Sequence, residues 1–533
     1  MISKRTLYIF VTACFFLLVF VGIWASIVSQ GLATPPGTKY SWGAGYMPDY
    51  YQYLAWIKDG SMGDILITSR YTPESGPKAL IHPIFPLTGL LLRPLSLATP
   101  IAYAILRTTA LLVFLLTLVA LIRRLFEGYQ GKIIATLLIL TGTGYYTVSF
   151  VGGKPTIIDP VSWSGNFNVI GKFGIPPHHL LALAALIGIA LIIFNAQQTI
   201  RVRAVQILLG IAIGLLNPAT LLFTDLFLVV TATFVSIFNK AWRKRLFLSL
   251  SLFLFTTTPI LLYDMYIFKT LPPWSVMYTL MKAFNPPVRF SEYLAALGPL
   301  VGVSLLTFMN RKIWLHRPLV IFLMVWAFLP IGLYPLLGKL LPMNNARLFQ
   351  SYQFVPFALL GAVGIVSVRR RLSQIGSHII IGIAGLLWAY GIVAYLVTLL
   401  LLIPAHDQNA YNIFIPNGAI HAFEYLEKES LRDSVVLSGE LVSQMIPAYS
   451  HNRTVIARDD TAINYYEKQH LAFAFLDGKM TGEEALSFLT RYHISFLLLG
   501  IDAQAFETLP YRTSPFLKEV FRDGQISVVQ VVR

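Results

Sequence analysis

Apolar and polar positions divide the chain into two unlike parts. Up to residue 403, long apolar stretches alternate with short polar ones; beyond Pro404 the apolar runs shorten and polar residues interleave with them. A helix that crosses a bilayer needs about 20 mostly apolar residues, at ~1.5 Å rise each through ~30 Å of hydrocarbon. The pattern predicts helices at 6–28, 102–122, 133–151, 178–195, 204–216, 219–238, 246–267, 292–309, 318–337, 348–368 and 377–403. The pair at 204–238 is divided only by Asn217-Pro218, a helix breaker followed by a helix starter. The fold expected is a polytopic α-helical membrane protein of about eleven transmembrane helices with a small C-terminal α/β domain.

The loops give that reading an orientation. Short loops rich in Lys and Arg stay on the cytoplasmic side. With the N-terminus inside, the inner segments carry Lys4, Arg5; Arg123, Arg124, Lys132; Arg201, Arg203; Lys240, Arg243, Lys244, Arg245; Arg311, Lys312, Arg317; and Arg369, Arg370, Arg371, with Glu127 their only acid. The outer segments hold Asp49, Asp59, Asp64, Glu74, Asp159 and, near helix ends, Asp264 and Glu292. Residues 1–403 thus form a membrane domain, and 404–533 an extracytoplasmic one. Three outer segments are long: 29–101, 152–177 and 268–291. The first contains ALIHPIFPLTGLLLRPLSL, interrupted by Pro83, Pro86 and Pro94, which is read as one or two helices lying on the outer leaflet. The stretch from Thr6 to Val28 exceeds the core of a signal peptide and is read as a retained first span.

In the second part, AFEYLEKESL, ELVSQMIPAY, 461–476 and 482–492 follow a helical period, while SVVLS, RTVIA, ISFLLLG and QISVVQVV read as strands. A short helix is expected between the last two. Thr481 and Glu484 are spaced as a capping box. Strands alternating with helices predict a small, largely parallel α/β domain.

Composition changes the picture in one respect. The chain is 56% hydrophobic and 12% charged, against about 25% charged in an average soluble domain. Its net charge of +16 suggests nucleic acid until mapped: residues 404–533 hold 11 Lys+Arg and 16 Asp+Glu. The positive excess therefore belongs to the membrane part, where it anchors loops, and nucleic acid is excluded as a partner. The single cysteine, Cys14, cannot form an internal disulfide.

Among chemically capable residues, Asp49 stands out, in GYMPDYYQYLAWIKDG on the outer side. Pro48 places it at a helix N-terminus. It either caps that helix or serves as a general base at the membrane surface. Arg107 lies inside one span near its outer end, and Arg347 opens another in PMNNARLFQSYQFVP. Arginine in a membrane is costly and is paired or functional. These two suit a phosphate, whose oxygens match the guanidinium fork, or else ion pairs to Asp49, Glu74 or Asp159, or snorkelling to the interface. Asp225, about two turns inside a span, is open to pairing with Arg107, to a structural role or to a relay. His82 precedes Pro83; His178 and His179 begin a span, about 100° apart on the helix, a poor metal pair. No HExxH or CxxC spacing occurs, so no dedicated zinc site is expected. Asn452-Arg453-Thr454 is formally a glycosylation sequon.

The order of parts resembles the GT-C superfamily, membrane glycosyltransferases that use polyprenyl-phosphate-linked sugars, including protein O-mannosyltransferases, aminoarabinose transferases and oligosaccharyltransferase catalytic subunits. PDYYQYLAWIKDG with HPIFPLTGLLLRPL resembles the first outer loop of prokaryotic members. IPAYSHNRTVIARDDTAINYYEKQ followed by LLLG resembles the outer domain of prokaryotic mannosyltransferase-like membrane proteins. The resemblance implies an inverting transfer of a sugar from a polyprenyl-phosphate donor, in the bilayer, to a glycan, lipid or protein acceptor on the outer face of the cell membrane. It implies that Asp49 is the catalytic acid–base residue and that Arg347 and Arg107 bind the donor phosphate. Tyr50, Glu74, His82, Asp159, His178, His179 and Gln350 are the further residues expected near the site. Many members carry an Asp-Glu pair where this chain has Asp49-Tyr50. Some hold a divalent metal with further carboxylates, for which Asp159 and Glu74 are available, so metal dependence stays open. The competing readings are a lipid-linked oligosaccharide ligase or polymerase, a polyprenyl-lipid transporter or flippase, and a receptor whose outer domain binds.

Overall fold

The computed structural model describes residues 3–43, 46–151, 154–161, 171–194, 199–284, 288–310, 317–336, 345–369, 373–402 and 411–532. The inner-loop cations Arg311, Lys312, Arg370 and Arg371, and the domain boundary at 403/404, lie outside the described residues. The chain forms two compact units: Met1–Ser26, Thr108–Asp264 and Phe284–Ala405 in one, and Ile27–Arg107, Met265–Ala283 and His406–Arg533 in the other.

Each of the eleven apolar stretches contains helix. Among the described residues, five helices are long and apolar enough to cross a bilayer: Lys4–Leu32, Thr99–Leu125, Pro218–Phe238, Lys240–Thr270 and the segment Gly382–Leu399. The number rises to seven if two bent pairs count as one span each, Phe290–Leu297 with Leu300–Met309 (70°) and Asn345–Ser351 with Phe354–Arg369 (55°). The protein is thus a multi-pass membrane protein. Tyr129–Thr141, Pro177–Ile193 and Pro318–Leu333 are shorter apolar helices. The break at Asn217-Pro218 is built as its residues dictate: the Asn217 side chain accepts from Thr220 N at 3.2 Å, and Pro218, lacking an N–H, opens the next helix.

One predicted helix is shorter than its apolar stretch. The segment 133–151 is helical only to Thr141; Thr147–Val151 pairs antiparallel with Lys154–Ile158. Backbone groups past Thr141 are bonded elsewhere. Tyr145 N donates to Ala295 O at 2.8 Å, and Tyr146 N to the Tyr390 hydroxyl at 3.0 Å. Apolar content alone could not separate this β-branched run from a helix.

In the second unit, helix Met47–Ser61 packs against Ile84–Leu92 and Glu440–Tyr449. Gly60 and Gly89 let the first two touch backbone to backbone: a Cβ on Gly60 would lie 1.8 Å from Pro86 O, and one on Gly89 1.9 Å from Ile57 O. Thr38–Tyr40 pairs antiparallel with Phe414–Pro416. The C-terminal sheet runs in the order Arg453–Thr454, Val435–Leu437, Ile494–Leu499, Ile526–Val531, Leu517–Asp523. The first three are parallel and the last two antiparallel to their neighbours, so the sheet is mixed rather than largely parallel. The strand Leu517–Asp523 escaped the sequence reading. It is an edge strand studded with Lys518, Glu519, Arg522 and Asp523, as edges exposed to water commonly are. The expected short helix is a single 3₁₀ turn, Phe506–Thr508. The capping box forms as spaced: Thr481 N donates to Glu484 Oε2 at 2.7 Å, and Glu484 N to Thr481 Oγ1 at 3.3 Å.

Candidate functional site

Asp49 sits in the first turn of Met47–Ser61, one residue after Pro48. That turn also offers Asp49 the positive end of the helix dipole. Its partner comes from the C-terminal region: Arg458 Nη2 lies 3.0 Å from Asp49 Oδ1. Arg458 also grips Asp460 with both arms of its fork, Nε to Oδ1 at 2.9 Å and Nη2 to Oδ2 at 2.7 Å. The Arg458 side chain is 6% exposed and that of Asp49 is 40% exposed, so the guanidinium is sealed while the carboxylate keeps an open face. Burial works against the Arg458 charge, but Asp460 and Asp49 outweigh it and raise its pKa.

Aromatic side chains line the helix that carries Asp49. Tyr50 is buried and its hydroxyl donates to Ser41 O at 2.7 Å. Tyr51 donates to Asn412 O at 2.5 Å. Tyr53 stacks on Phe85 at 4.3 Å, and the His82 ring lies 5.8 Å from Trp56. The Tyr103 hydroxyl is within electrostatic reach of both Asp49 and Arg107.

A second group of charges fastens the first loop to the C-terminal region. Arg70, 2% exposed, reaches Asp59 and Asp433 at 2.6 Å each. Lys468, 1% exposed, lies 2.5 Å from Glu74 and donates to Thr72 Oγ1 at 3.1 Å. Burial opposes the Glu74 charge, but hydrogen bonds from Lys468 and Thr72 hold its carboxyl below the ordinary value. Glu74 is thus engaged in fastening, not turned toward Asp49.

The remaining predicted residues belong to the other unit. There His179 Nδ1 is 2.7 Å from Asn217 Nδ2 and also hydrogen-bonded to the Tyr352 hydroxyl. The His178 and His179 rings lie 4.2 Å apart. Tyr352 is strained at φ 51° where the bent pair breaks, and the Arg347 charge reaches its hydroxyl. Gln350 is buried, and its carbonyl accepts from Thr220 at 3.4 Å. His178, His179, Arg347 and Gln350 are thereby gathered around three helix starts and breaks. Asp159 follows the strand Lys154–Ile158, within electrostatic reach of Tyr390. Asp225 accepts from Thr257 at 3.4 Å.

Asp49 and Asp460 share one guanidinium, and among the described residues no three His, Cys, Asp or Glu side chains gather to hold a metal. Sequence reasoning missed Arg458, Asp460, Arg70 and Lys468. Each lay in a quoted or scanned stretch, but an Arg beside two Asp reads as a solvated turn until burial is known. It also missed Lys172, fully buried, whose ammonium caps the helix ending at Thr141 by donating to Ile139 O and, at 2.5 Å, to Gly142 O.

No family model matches the chain, and no curated protein does. Solved structures do. The apo oligosaccharyltransferase of Archaeoglobus fulgidus aligns over 94% of this chain and 70% of its own, at TM-score 0.54 and 13% identity. AglB from the same organism, in complex with an inhibitory peptide and a dolichol-phosphate, aligns over 92% and 69%, at 0.51 and 13%. ArnT from Cupriavidus metallidurans bound to undecaprenyl phosphate aligns over 96% and 97%, at 0.50 and 11%. The chain has the GT-C fold. With ArnT the GT-C likeness takes in nearly the whole of both chains, so it includes the C-terminal α/β region. At these identities the GT-C likeness is one of fold, and it leaves chemistry to be argued from side chains.

Proposed function

We propose that the protein is an inverting glycosyltransferase of the plasma membrane. It moves a sugar from a polyprenyl-phosphate donor to an acceptor on the extracytoplasmic face, with the N-terminus cytoplasmic and residues 404–533 outside. The observation that carries the reading is the ion-paired Asp49, 40% exposed at a helix start, with the Tyr103 hydroxyl within electrostatic reach of both it and Arg107. In support, AglB and ArnT were solved with dolichol-phosphate and undecaprenyl phosphate respectively.

The chemistry divides among few groups. An acceptor hydroxyl attacks the anomeric carbon, and its proton passes to Asp49. The bond between the anomeric carbon and the phosphate oxygen breaks, its electron pair leaving with the polyprenyl phosphate. Arg107 holds that phosphate as charge develops on it. Attack from the face opposite the leaving group inverts the anomeric centre. The acceptor is a glycan, a lipid or a protein, which the C-terminal domain helps to hold.

The test is turnover in detergent. Purified protein is offered a panel of undecaprenyl-phosphate hexoses and pentoses, with membrane extract supplying acceptors. Release of undecaprenyl phosphate coupled to acceptor labelling is the expected result. Absence of turnover across the panel, with donor translocated after reconstitution into vesicles, would instead make the protein a transporter.

A further inference from the structure

Helix Asn417–Glu429 faces the hairpin of Leu517–Asp523 and Ile526–Val531, and a cleft of about 420 Å³ opens between them. None of its lining residues takes part in the chemistry argued around Asp49. We propose that this cleft binds a saccharide, and that the saccharide is the sugar chain of the acceptor. Calling that chain the acceptor rests on the reading of the protein as a glycosyltransferase; the saccharide site itself does not.

Two periodicities build the cleft. Along the helix, Ala419, Ala422, Phe423 and Leu426 are buried and fasten one face. His421, Glu424, Tyr425 and Lys428, spaced three or four apart, fall on another face and line the cleft. On the strand, Phe521 and Asp523 are two residues apart and share a side; with Arg522 they form the opposite wall. Gly418 lets the helix start close on the hairpin tip, since a Cβ there would lie 3.3 Å from Asp523 O. His421 Nδ1 meets Asp523 Oδ2 across the gap at 2.7 Å. The Tyr425 and Phe521 rings lie 5.2 Å apart, inclined at 31°, and both are half-buried, so each keeps a wet side.

The lining selects the guest. Clefts for small ligands run to roughly 300–1,000 Å³, walled by apolar rings with a few polar groups that orient what binds. A sugar ring offers broad C–H faces and a rim of hydroxyls. The rings of Tyr425 and Phe521 suit the faces, and the carboxylates, guanidinium and imidazole around them suit the hydroxyls. Charge is balanced, with Lys428 and Arg522 set against Glu424 and Asp523. The cleft therefore favours a neutral guest over a phosphate or a polycation. The same charges disfavour an isoprenoid chain, which would strip them of water. A peptide adding to Leu517–Asp523 as a further strand would meet Lys518, Glu519 and Arg522, charges of the kind that keep an edge unpaired.

The experiment is a saturation-transfer NMR titration of the purified full-length protein. The detergent is lauryldimethylamine oxide, which has no sugar headgroup, and the probes are mannobiose, galactobiose, cellobiose and chitobiose. At least one is expected to bind, with transfer strongest at its C–H protons. Tyr425→Ala and Phe521→Ala should each raise its Kd about tenfold. Glu424 is exposed, so Glu424→Arg keeps the fold and should weaken binding by a similar factor. Glu483→Arg, exposed on the helix Gly482–Arg491, should leave Kd unchanged. If the aromatic variants do not fold, Glu424→Arg decides, and a wild-type Kd for it would overturn the proposal. So would the absence of binding by all the probes, or capture of an octapeptide of alternating valine and threonine in their place. Binding is read without turnover, so the two readings fail separately. A protein that transfers sugar but binds no probe loses only the cleft. One that binds a probe through Tyr425 but turns over no donor keeps the saccharide site and loses the transferase.

Discussion

Single residues in the first loop are committed to one another by buried charge, and that commitment has measurable consequences. Arg70 and Asp59 are both nearly sealed from solvent. Removing one partner of such a pair strands the other in low dielectric, at a cost of about 3–5 kcal/mol. Arg70→Ala should therefore lower thermal stability sharply in detergent, whereas the double change Arg70→Met/Asp59→Leu should recover much of the loss. Equal losses in both would contradict a buried-charge origin. Glu74 and Asp64 behave differently because they are partly exposed. Burial opposes their ionisation, yet Lys468 and Thr72 at Glu74, and Lys78 and Arg432 at Asp64, hold both below ordinary values. A carboxylate with a lowered folded-state pKa adds stability above its unfolded value and loses it as pH falls through the folded one. The melting temperature should accordingly drop between about pH 6 and pH 3, and Glu74→Gln should flatten that slope. An unchanged slope in the variant would mean that Glu74 contributes nothing to it.

Elements depend on how closely their backbones approach. Met47–Ser61 and Ile84–Leu92 meet at Gly60 and Gly89, where a Cβ would overlap Pro86 O or Ile57 O. Gly60→Ala should cost about 1–3 kcal/mol or more, seen as a lower melting temperature together with lost transfer, since Asp49 rides on the first of these helices. Wild-type stability would show that the two helices can part without consequence. These helices were legible in the sequence because Pro48, Pro83 and the apolar runs mark them. The contact between them was not, because a glycine in a helix signals either weakness or close approach and only coordinates decide. The same limit explains Thr147–Val151 and Leu517–Asp523. One was hidden in an apolar run, the other behind a row of charges.

At the scale of the whole molecule, each of the eleven apolar stretches read from the hydropathy pattern contains helix among the described residues, and the alternating runs of the C-terminal part form helices and a five-stranded sheet. The pattern could not tell long helices from shorter or broken ones: among the described residues, five helices are long and apolar enough to cross a bilayer, or seven with the bent pairs. The candidate site was half legible. Asp49 and Arg107 could be named from their cost and position. Arg458 could not, because it lies 409 residues from Asp49 and takes its meaning from burial. The central claim is that Asp49 accepts the acceptor's proton during sugar transfer from a polyprenyl phosphate. It is tested most directly by single-turnover release of undecaprenyl phosphate from the accepted donor, wild type against Asp49→Asn, in folded protein of matched melting temperature. The account predicts a loss of about 10²–10⁴-fold; an Asp49→Asn protein that transfers at the wild-type rate would contradict it.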